Sequence, residues 1–186
     1  MDRDGVLIED LGLVTQLEQV RLFEDVPSAL RLLKGHGFLL VVVTNQTVIS
    51  RGLLDEAGVA SMNEEIRRRI VIRGGPTIDS FYVCPHHPNA SLSRYRMCCD
   101  CRKPEAGMLF RAAREWGIML EKSFLVGDRM SDIVAGSRAG CTTILLQTGA
   151  HLAPPIETKR PVDLSIRPDY SCRTLTEAAQ WILERS

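Results

Sequence analysis

The chain has 186 residues, of which 45% are hydrophobic and 25% charged, the composition of a globular domain with a buried core. Basic and acidic residues number 23 each, so the net charge is zero and no basic surface for nucleic acid or an anionic membrane is indicated. The longest apolar run, residues 38–43 (FLLVVV), is too short to span a bilayer, and we expect no signal peptide. We therefore expect a cytoplasmic monomer that binds neither nucleic acid nor membrane.

Apolar runs alternate with amphipathic stretches along the whole chain. In chain order, the patterns predict a helix at 27–34, strands at 38–43 and 78–83, a helix at 54–73 between those strands, a helix at 106–116, a strand at 123–126, a helix at 132–139, a strand at 142–146 and a helix at 174–184. Thr174 and Glu177 have the spacing of a capping box for the last helix. Residues 154–168 are proline-rich and predict a surface connection.

This alternation predicts an α/β fold: one domain over residues 1–186, with an open, mostly parallel, Rossmann-like sheet and helices on both faces. The segment 84–104 interrupts the alternation and holds four of the six cysteines. The remaining connections are too short for a large cap domain.

Polar residues cluster where the predicted strands end. Thr44 follows one strand and Asp128 follows another, while Lys103 ends the cysteine-rich loop. The opening DRDG motif places Asp2 and Asp4 at the same edge if it too follows a strand. Ligands bind at this edge of parallel sheets, so these side chains are candidates for one site.

The residue types suggest phosphoryl chemistry. Asp2 and Asp128 could share Mg²⁺, which prefers oxygen ligands, and Lys103 and the Thr44 hydroxyl could bind phosphate oxygens. A carboxylate can accept a phosphoryl group, and a second acid such as Asp4 could protonate the leaving oxygen and later activate water.

The cysteines indicate a second metal. Cys84 and His86, followed by Cys99 and Cys101, offer three thiolates and one imidazole, which is a closed structural zinc set. The neighbouring Cys98 and His87 are alternatives in the same loop, and the competing explanation for the set is reduced core cysteines without metal. Such a zinc would fix the loop that presents residues 102 and 103.

Taken together, DRDG, a strand ending in TN, then KP, then GD followed by a further Asp resemble the haloacid dehalogenase superfamily of phosphohydrolases. DRDGV, VVVTNQ, CPHHP, CDCRKP and VGD are similar to its branch of D-glycero-D-manno-heptose 1,7-bisphosphate 7-phosphatases, and histidinol-phosphate phosphatases share much of this set. The resemblance implies Mg²⁺-dependent removal of the 7-phosphate from a small sugar bisphosphate, a step in making nucleotide-activated heptose for surface polysaccharide such as lipopolysaccharide.

The resemblance also implies roles. Asp2 would be the nucleophile and an Mg²⁺ ligand, and Asp4 the acid and base as well as an Mg²⁺ ligand through its backbone carbonyl. Asp128 would complete the metal site, with Asp132 behind it, and Thr44 and Lys103 would hold the phosphoryl group. The substrate-binding residues would be Asp10, Gly12, Asn45, Gln46, Thr47, Arg102 and Arg129.

Three features depart from the pattern. No hydrophobic strand precedes DRDG, and we expect that the true start lies upstream; the alternatives are that another segment fills the place of that strand or that the protein is an impaired remnant. Leu11 and Leu13 stand where the family often has His or Tyr, and Val48 replaces a glycine, which weakens the heptose assignment. Two competing interpretations stay open at this point: a histidinol-phosphate phosphatase, and a non-catalytic zinc-stabilised binding protein.

Overall fold

The computed structural model describes residues 1–148 and 165–186. In chain order it contains the helix α1 (Val26–Gly35), the strand β1 (Val41–Asn45), the helices α2 (Thr47–Ser50) and α3 (Glu56–Ile72), the strand β2 (Ser80–Cys84), the helix α4 (Gly107–Trp116), the strand β3 (Phe124–Gly127), the helix α5 (Met130–Ala139), the strands β4 (Thr142–Leu146) and β5 (Tyr170–Cys172), and the helix α6 (Leu175–Leu183). No helix in these two ranges is both long enough and apolar enough to cross a membrane.

All the named strands run parallel, in two groups. β1 pairs with β2, and β4 lies between β3 and β5. Met1 and Asp2 lie between the groups: the Met1 amine donates to the Val41 carbonyl, the Val43 N–H donates to the Met1 carbonyl, and the Asp2 N–H donates to the Val126 carbonyl, each at 2.9 Å. The backbone of the DRDG motif is thus bonded to both halves of the sheet.

Helices cover both faces of the strands, which confirms the predicted fold class. On one face, Val42 and Val126 belong to a core with α1, α3 and α6. On the other, Val43 and Leu125 belong to a core with α4 and α5. Adjacent strand residues therefore enter opposite cores, as the two-residue period of a strand buried on both faces requires.

The structure shifts several predicted boundaries. β1 begins at Val41 rather than at residue 38, because the backbone of Leu40 is bonded to Asp79, through both its N–H and its carbonyl, just before the ladder. α5 begins two residues before the predicted start. The capping prediction for α6 holds in part: Thr174 accepts from the Glu177 N–H at 3.1 Å, but the Glu177 carboxylate accepts from the Arg173 N–H.

Two further differences concern the region after β4. The short strand β5 was not predicted, since three residues carry too little pattern to identify a strand. The predicted surface connection at 154–168 lies outside the described residues up to position 164.

Candidate active site

Asp2 lies at the edge of the sheet where the parallel strands end, and its side chain is held by two donors. Its side chain is buried, and Oδ1 accepts from the Arg3 N–H at 2.7 Å and from Lys103 Nζ at 2.8 Å. Among the described residues no hydrogen bond reaches Oδ2. One carboxylate oxygen is therefore fixed by positive partners, and the other stays available.

Lys103 is the cation of this cluster. Its buried ammonium donates to the Val43 carbonyl at 2.8 Å and contacts the Asp2 and Asp132 carboxylates at 2.8 and 2.6 Å. Burial lowers the pKa of Lys103, but the two carboxylates outweigh burial and hold that pKa above its ordinary value. The lysine is thus fully charged at neutral pH.

Asn45, at the end of β1, fixes the backbone of this lysine. Its Nδ2 donates to the Lys103 carbonyl at 3.0 Å, and its Oδ1 accepts from the Lys103 N–H at 3.1 Å. Asn45, predicted to contact the substrate, thus also positions Lys103.

Three acids, Asp2, Asp128 and Asp132, bring carboxylate oxygens within 4.8 Å of one another. Both oxygens of Asp128 are buried and have no hydrogen-bond donor in the described part of the chain. Burial, and then the charges of Asp2 and Asp132, raise the pKa of Asp128 to about 8. A buried carboxylate without a donor calls for a cation, so these residues fit the predicted Mg²⁺.

The glycine of the DRDG motif makes this cluster possible. Gly5 has φ +75°, and a Cβ there would overlap the Asp128 carboxylate. The Thr148 hydroxyl donates to the Gly5 carbonyl at 2.9 Å and holds the turn from the other side. Only glycine lets the turn lie this close to the acid after β3.

The Asp4 carboxylate is not part of the acid cluster and bonds instead to Arg3 and Gln46. Arg3 donates to both Asp4 oxygens, and Gln46 Nε2 donates to Asp4 Oδ2 and to the Thr44 hydroxyl, both at 2.8 Å. In residues 1–148 and 165–186, no backbone hydrogen bond uses the Asp4 carbonyl, which leaves that oxygen available as a ligand.

The cysteine loop forms a compact four-ligand group. Cys84, His86, Cys99 and Cys101 place their ligand atoms within 4.8 Å of one another. Sulfur–sulfur distances among the three cysteines are 3.1–3.6 Å, and His86 Nδ1 lies 3.4 Å from the Cys101 sulfur. Ligands around a tetrahedral zinc stand about 3.7 Å apart when zinc–sulfur bonds are about 2.3 Å, so the group fits zinc.

The structure distinguishes these ligands from their neighbours. Cys98 is exposed, and His87 Nδ1 accepts from the Asn89 N–H at 3.0 Å. Burial is the first cause of the raised pKa of Cys99, and the bond to Cys84, followed by burial, raises that of Cys101. Without metal, both thiols are therefore protonated at neutral pH.

The remaining predicted substrate residues lie in segments of chain next to these clustered side chains, and we call those segments the rim. Arg102 donates to the carbonyl of His86 at 3.0 Å, and burial lowers its pKa. Arg129 pairs with Asp10 at 2.6 Å, and the Asp10 side chain also accepts from the Gly12 N–H. Thr47 begins α2. Arg102 adjoins Lys103 in the zinc loop, Arg129 adjoins Asp128 after β3, and Asp10 lies in the loop after DRDG.

The sequence did not reveal the roles of Arg3 and Asn63, and it predicted Asp132 outside the group of metal ligands. Arg3 was passed over between two aspartates, and Asn63, which bonds to it, lies in the middle of a helix. Asp132 was expected behind the metal site but belongs to the acid cluster itself. The i, i+4 spacing of Asp128 and Asp132 at the start of a helix was the available signal for that residue.

Comparisons with known proteins agree on one family. A HAD-hydrolase-like family model matches residues 100–178. D-glycero-beta-D-manno-heptose-1,7-bisphosphate 7-phosphatase of Photorhabdus laumondii is 39% identical over 150 residues, covering 80% of this chain and 79% of the relative. The enzyme of that name from Escherichia coli K12 is 39% identical over 158 residues, covering 84% and 82%.

A solved structure adds the fold. The D,D-heptose 1.7-bisphosphate phosphatase from B. bronchiseptica, complexed with magnesium and phosphate, superposes with a TM-score of 0.78 at 28% identity, covering 100% of this chain and 97% of that one.

Proposed function

The chain belongs to the HAD-like hydrolases, in the branch of the D-glycero-beta-D-manno-heptose-1,7-bisphosphate 7-phosphatases, and from that premise we propose that it removes the 7-phosphate of D-glycero-D-manno-heptose 1,7-bisphosphate. One observation carries the proposal for this chain. The Asp2 carboxylate lies beside the charged Lys103 and within an acid cluster suited to Mg²⁺, two residues before a second acid.

Asp2 is the proposed nucleophile. Lys103 and the Arg3 N–H hold Oδ1, so Oδ2 is the oxygen that attacks phosphorus. As the new oxygen–phosphorus bond forms, the bond from phosphorus to the sugar oxygen breaks, which leaves an aspartyl phosphate. Lys103 and the Thr44 hydroxyl neutralise and orient the phosphoryl oxygens during transfer.

Asp4 is the proposed acid and base. It gives its proton to the departing sugar oxygen in the first step. In the second step its carboxylate takes a proton from the water that attacks phosphorus, and the bond to Asp2 breaks to release phosphate. Because the same group is used in both directions, its orientation must be maintained through the cycle.

Two metals complete the site. Asp2, Asp128, Asp132 and the Asp4 carbonyl would hold Mg²⁺, which supplies positive charge against the transferring phosphoryl group. Cys84, His86, Cys99 and Cys101 would hold zinc in a structural role. Because Arg102 donates to the His86 carbonyl, order in the zinc loop is transmitted to an arginine at the rim.

Arg102 and Arg129 are the proposed selectivity residues, since guanidinium groups at the rim suit a sugar that keeps a second phosphate. The three thiolates of the zinc set need a reducing setting, so we place the protein in the cytoplasm. We also propose that it acts as a monomer.

The test measures phosphate release with Mg²⁺ from the heptose bisphosphate and from histidinol phosphate. Phosphorus NMR should show loss of the 7-phosphate and retention of the anomeric phosphate. Asp2→Asn, with its fold checked by circular dichroism, is the control and should release no phosphate. Turnover of histidinol phosphate alone refutes the substrate, and a folded parent inactive on both refutes the activity.

A further inference from the structure

Arg3 is the one arginine that is buried among the described residues, and its guanidinium has no role in the proposed reaction. Arg3 is 2% exposed, although it stands between two aspartates near the start of the chain. Burying a guanidinium costs free energy unless its charge and its N–H groups find partners. The hydrogen-bond partners of the Arg3 guanidinium therefore indicate its role.

The Arg3 guanidinium forms a bidentate pair with the two carboxylate oxygens of Asp4. Its Nε donates to Oδ2 at 3.1 Å, and its Nη2 donates to Oδ1 at 2.9 Å. A bidentate pair of this kind fixes the plane of the carboxylate as well as its position. Asp4 cannot turn about its last side-chain bond without breaking both contacts.

Arg3 is itself held by two amides from distant parts of the chain. Its Nη1 donates to Asn63 Oδ1 at 3.2 Å, and its Nη2 donates to Gln46 Oε1 at 2.9 Å. Asn63 is 4% exposed and belongs to α3, a helix packed into the core. The guanidinium is thus tied to a rigid element that is not part of the loop it serves.

Gln46 closes the network toward the phosphoryl group. The same Nε2 that bonds to Asp4 also donates to the Thr44 hydroxyl. The two carboxylate oxygens of Asp4 therefore accept three hydrogen bonds in total, and each donor side chain is itself held by other hydrogen bonds. The Arg3 guanidinium makes four hydrogen bonds among the described residues, and none of them goes to Asp2, Asp128 or Asp132.

We propose that Arg3 is a positioning residue that acts through Asp4, and that Asn63 on α3 is its anchor. This inference rests on the proposed function. Arg3 does not bind the transferring phosphoryl group. It holds the Asp4 carboxyl group in the orientation in which it meets the leaving oxygen.

The role predicts a dependence on the leaving group. A sugar alkoxide needs its proton from Asp4, whereas nitrophenolate leaves without one. Because kcat/KM reports only the steps through formation of the aspartyl phosphate, p-nitrophenyl phosphate isolates the attack from the protonation. Weakening the Arg3 contacts should therefore harm the sugar substrate selectively.

The experiment compares Arg3→Lys, Asn63→Ala and Asn63→Asp with the parent. Arg3→Lys keeps the charge but loses the bidentate grip, and we expect kcat/KM for the heptose bisphosphate to fall about 10- to 100-fold, against less than about threefold for p-nitrophenyl phosphate. Asn63→Ala should give the same pattern more weakly. Asn63→Asp restores an acceptor for Nη1 and should recover the sugar reaction.

A double-mutant cycle with Asp4→Asn completes the test. If Arg3 acts through Asp4, adding Arg3→Lys to Asp4→Asn should cost almost nothing further on the sugar substrate. Equal losses on both substrates, or additive losses in the cycle, overturn the proposal, as does an unchanged Arg3→Lys enzyme. A folded parent that hydrolyses neither phosphate ester refutes the proposed function instead, so the two failures are distinguishable.

Discussion

Magnesium affinity should depend steeply on pH because of one buried carboxyl. The pKa of Asp128 is raised to about 8 in the metal-free protein, and Mg²⁺ binds only the ionised form. At pH 6, 7 and 8 about 1%, 9% and 50% of such a carboxyl is ionised. The apparent Kd for Mg²⁺ should therefore fall about tenfold from pH 6 to 7 and about fivefold from pH 7 to 8.

Isothermal titration calorimetry at these three pH values measures the effect directly. Repeating the titration at pH 7 in two buffers of different ionisation enthalpy should show release of about 0.9 proton per Mg²⁺ bound. A Kd that does not change between pH 6 and 7, or binding without proton release, refutes the assignment of Asp128 as the buried, donor-free ligand.

The same carboxyl affects stability with a definite sign. Its pKa in the unfolded chain is near 3.8 and is higher in the folded protein, so the folded state binds this proton more tightly. The stability that this proton provides is complete below about pH 4 and is lost as pH rises toward about 8. Urea unfolding without metal should show that decline, and added Mg²⁺ should reverse it.

Three substitutions test other parts of the site. Lys103→Met removes the buried ammonium, so kcat for phosphate release should fall about 100- to 1000-fold. Urea titration should show a loss of about 3–5 kcal/mol in the free energy of unfolding. A Lys103→Met variant that stays active contradicts the role of this lysine. Cys99→Ser should lose zinc by metal analysis while Cys98→Ser keeps it, and the reverse result reassigns the ligand. Gly5→Ala places a methyl group against the Asp128 carboxylate, a proposed magnesium ligand, and should abolish Mg²⁺ binding by calorimetry, whereas Gly12→Ala, also at positive φ but in open space, should keep it.

The α/β alternation could be predicted because each strand and helix carries its own pattern. The long helix α3 was predicted with nearly its true limits, since its apolar residues recur at helical spacing. The structure adds its start, where the Asp55 side chain accepts from the Gly58 N–H. The place of Met1 and Asp2 between β1 and β3 could not be predicted. Two residues have no periodicity, and their position depends on hydrogen bonds to strands far along the chain.

In the candidate site, too, local patterns could be predicted and long-range contacts could not. Ligand spacing identified the cysteine loop and favoured Cys99 over Cys98, and the structure places Cys99 in the four-ligand group and leaves Cys98 exposed. Arg3 was missed because a charge beside two acids is typical of a solvated surface. Its burial depends on Asn63, 60 residues away in sequence, which no local pattern reveals.

The most direct test of the account asks where the phosphoryl group goes. The enzyme is mixed with D-glycero-beta-D-manno-heptose 1,7-bisphosphate and Mg²⁺, treated with borohydride to reduce any acyl phosphate to an alcohol, and mapped by peptide mass spectrometry. We predict homoserine at position 2, formed from Asp2 only in the presence of substrate and absent from Asp2→Asn. Turnover without modification of Asp2, or trapping at another carboxylate, contradicts the account.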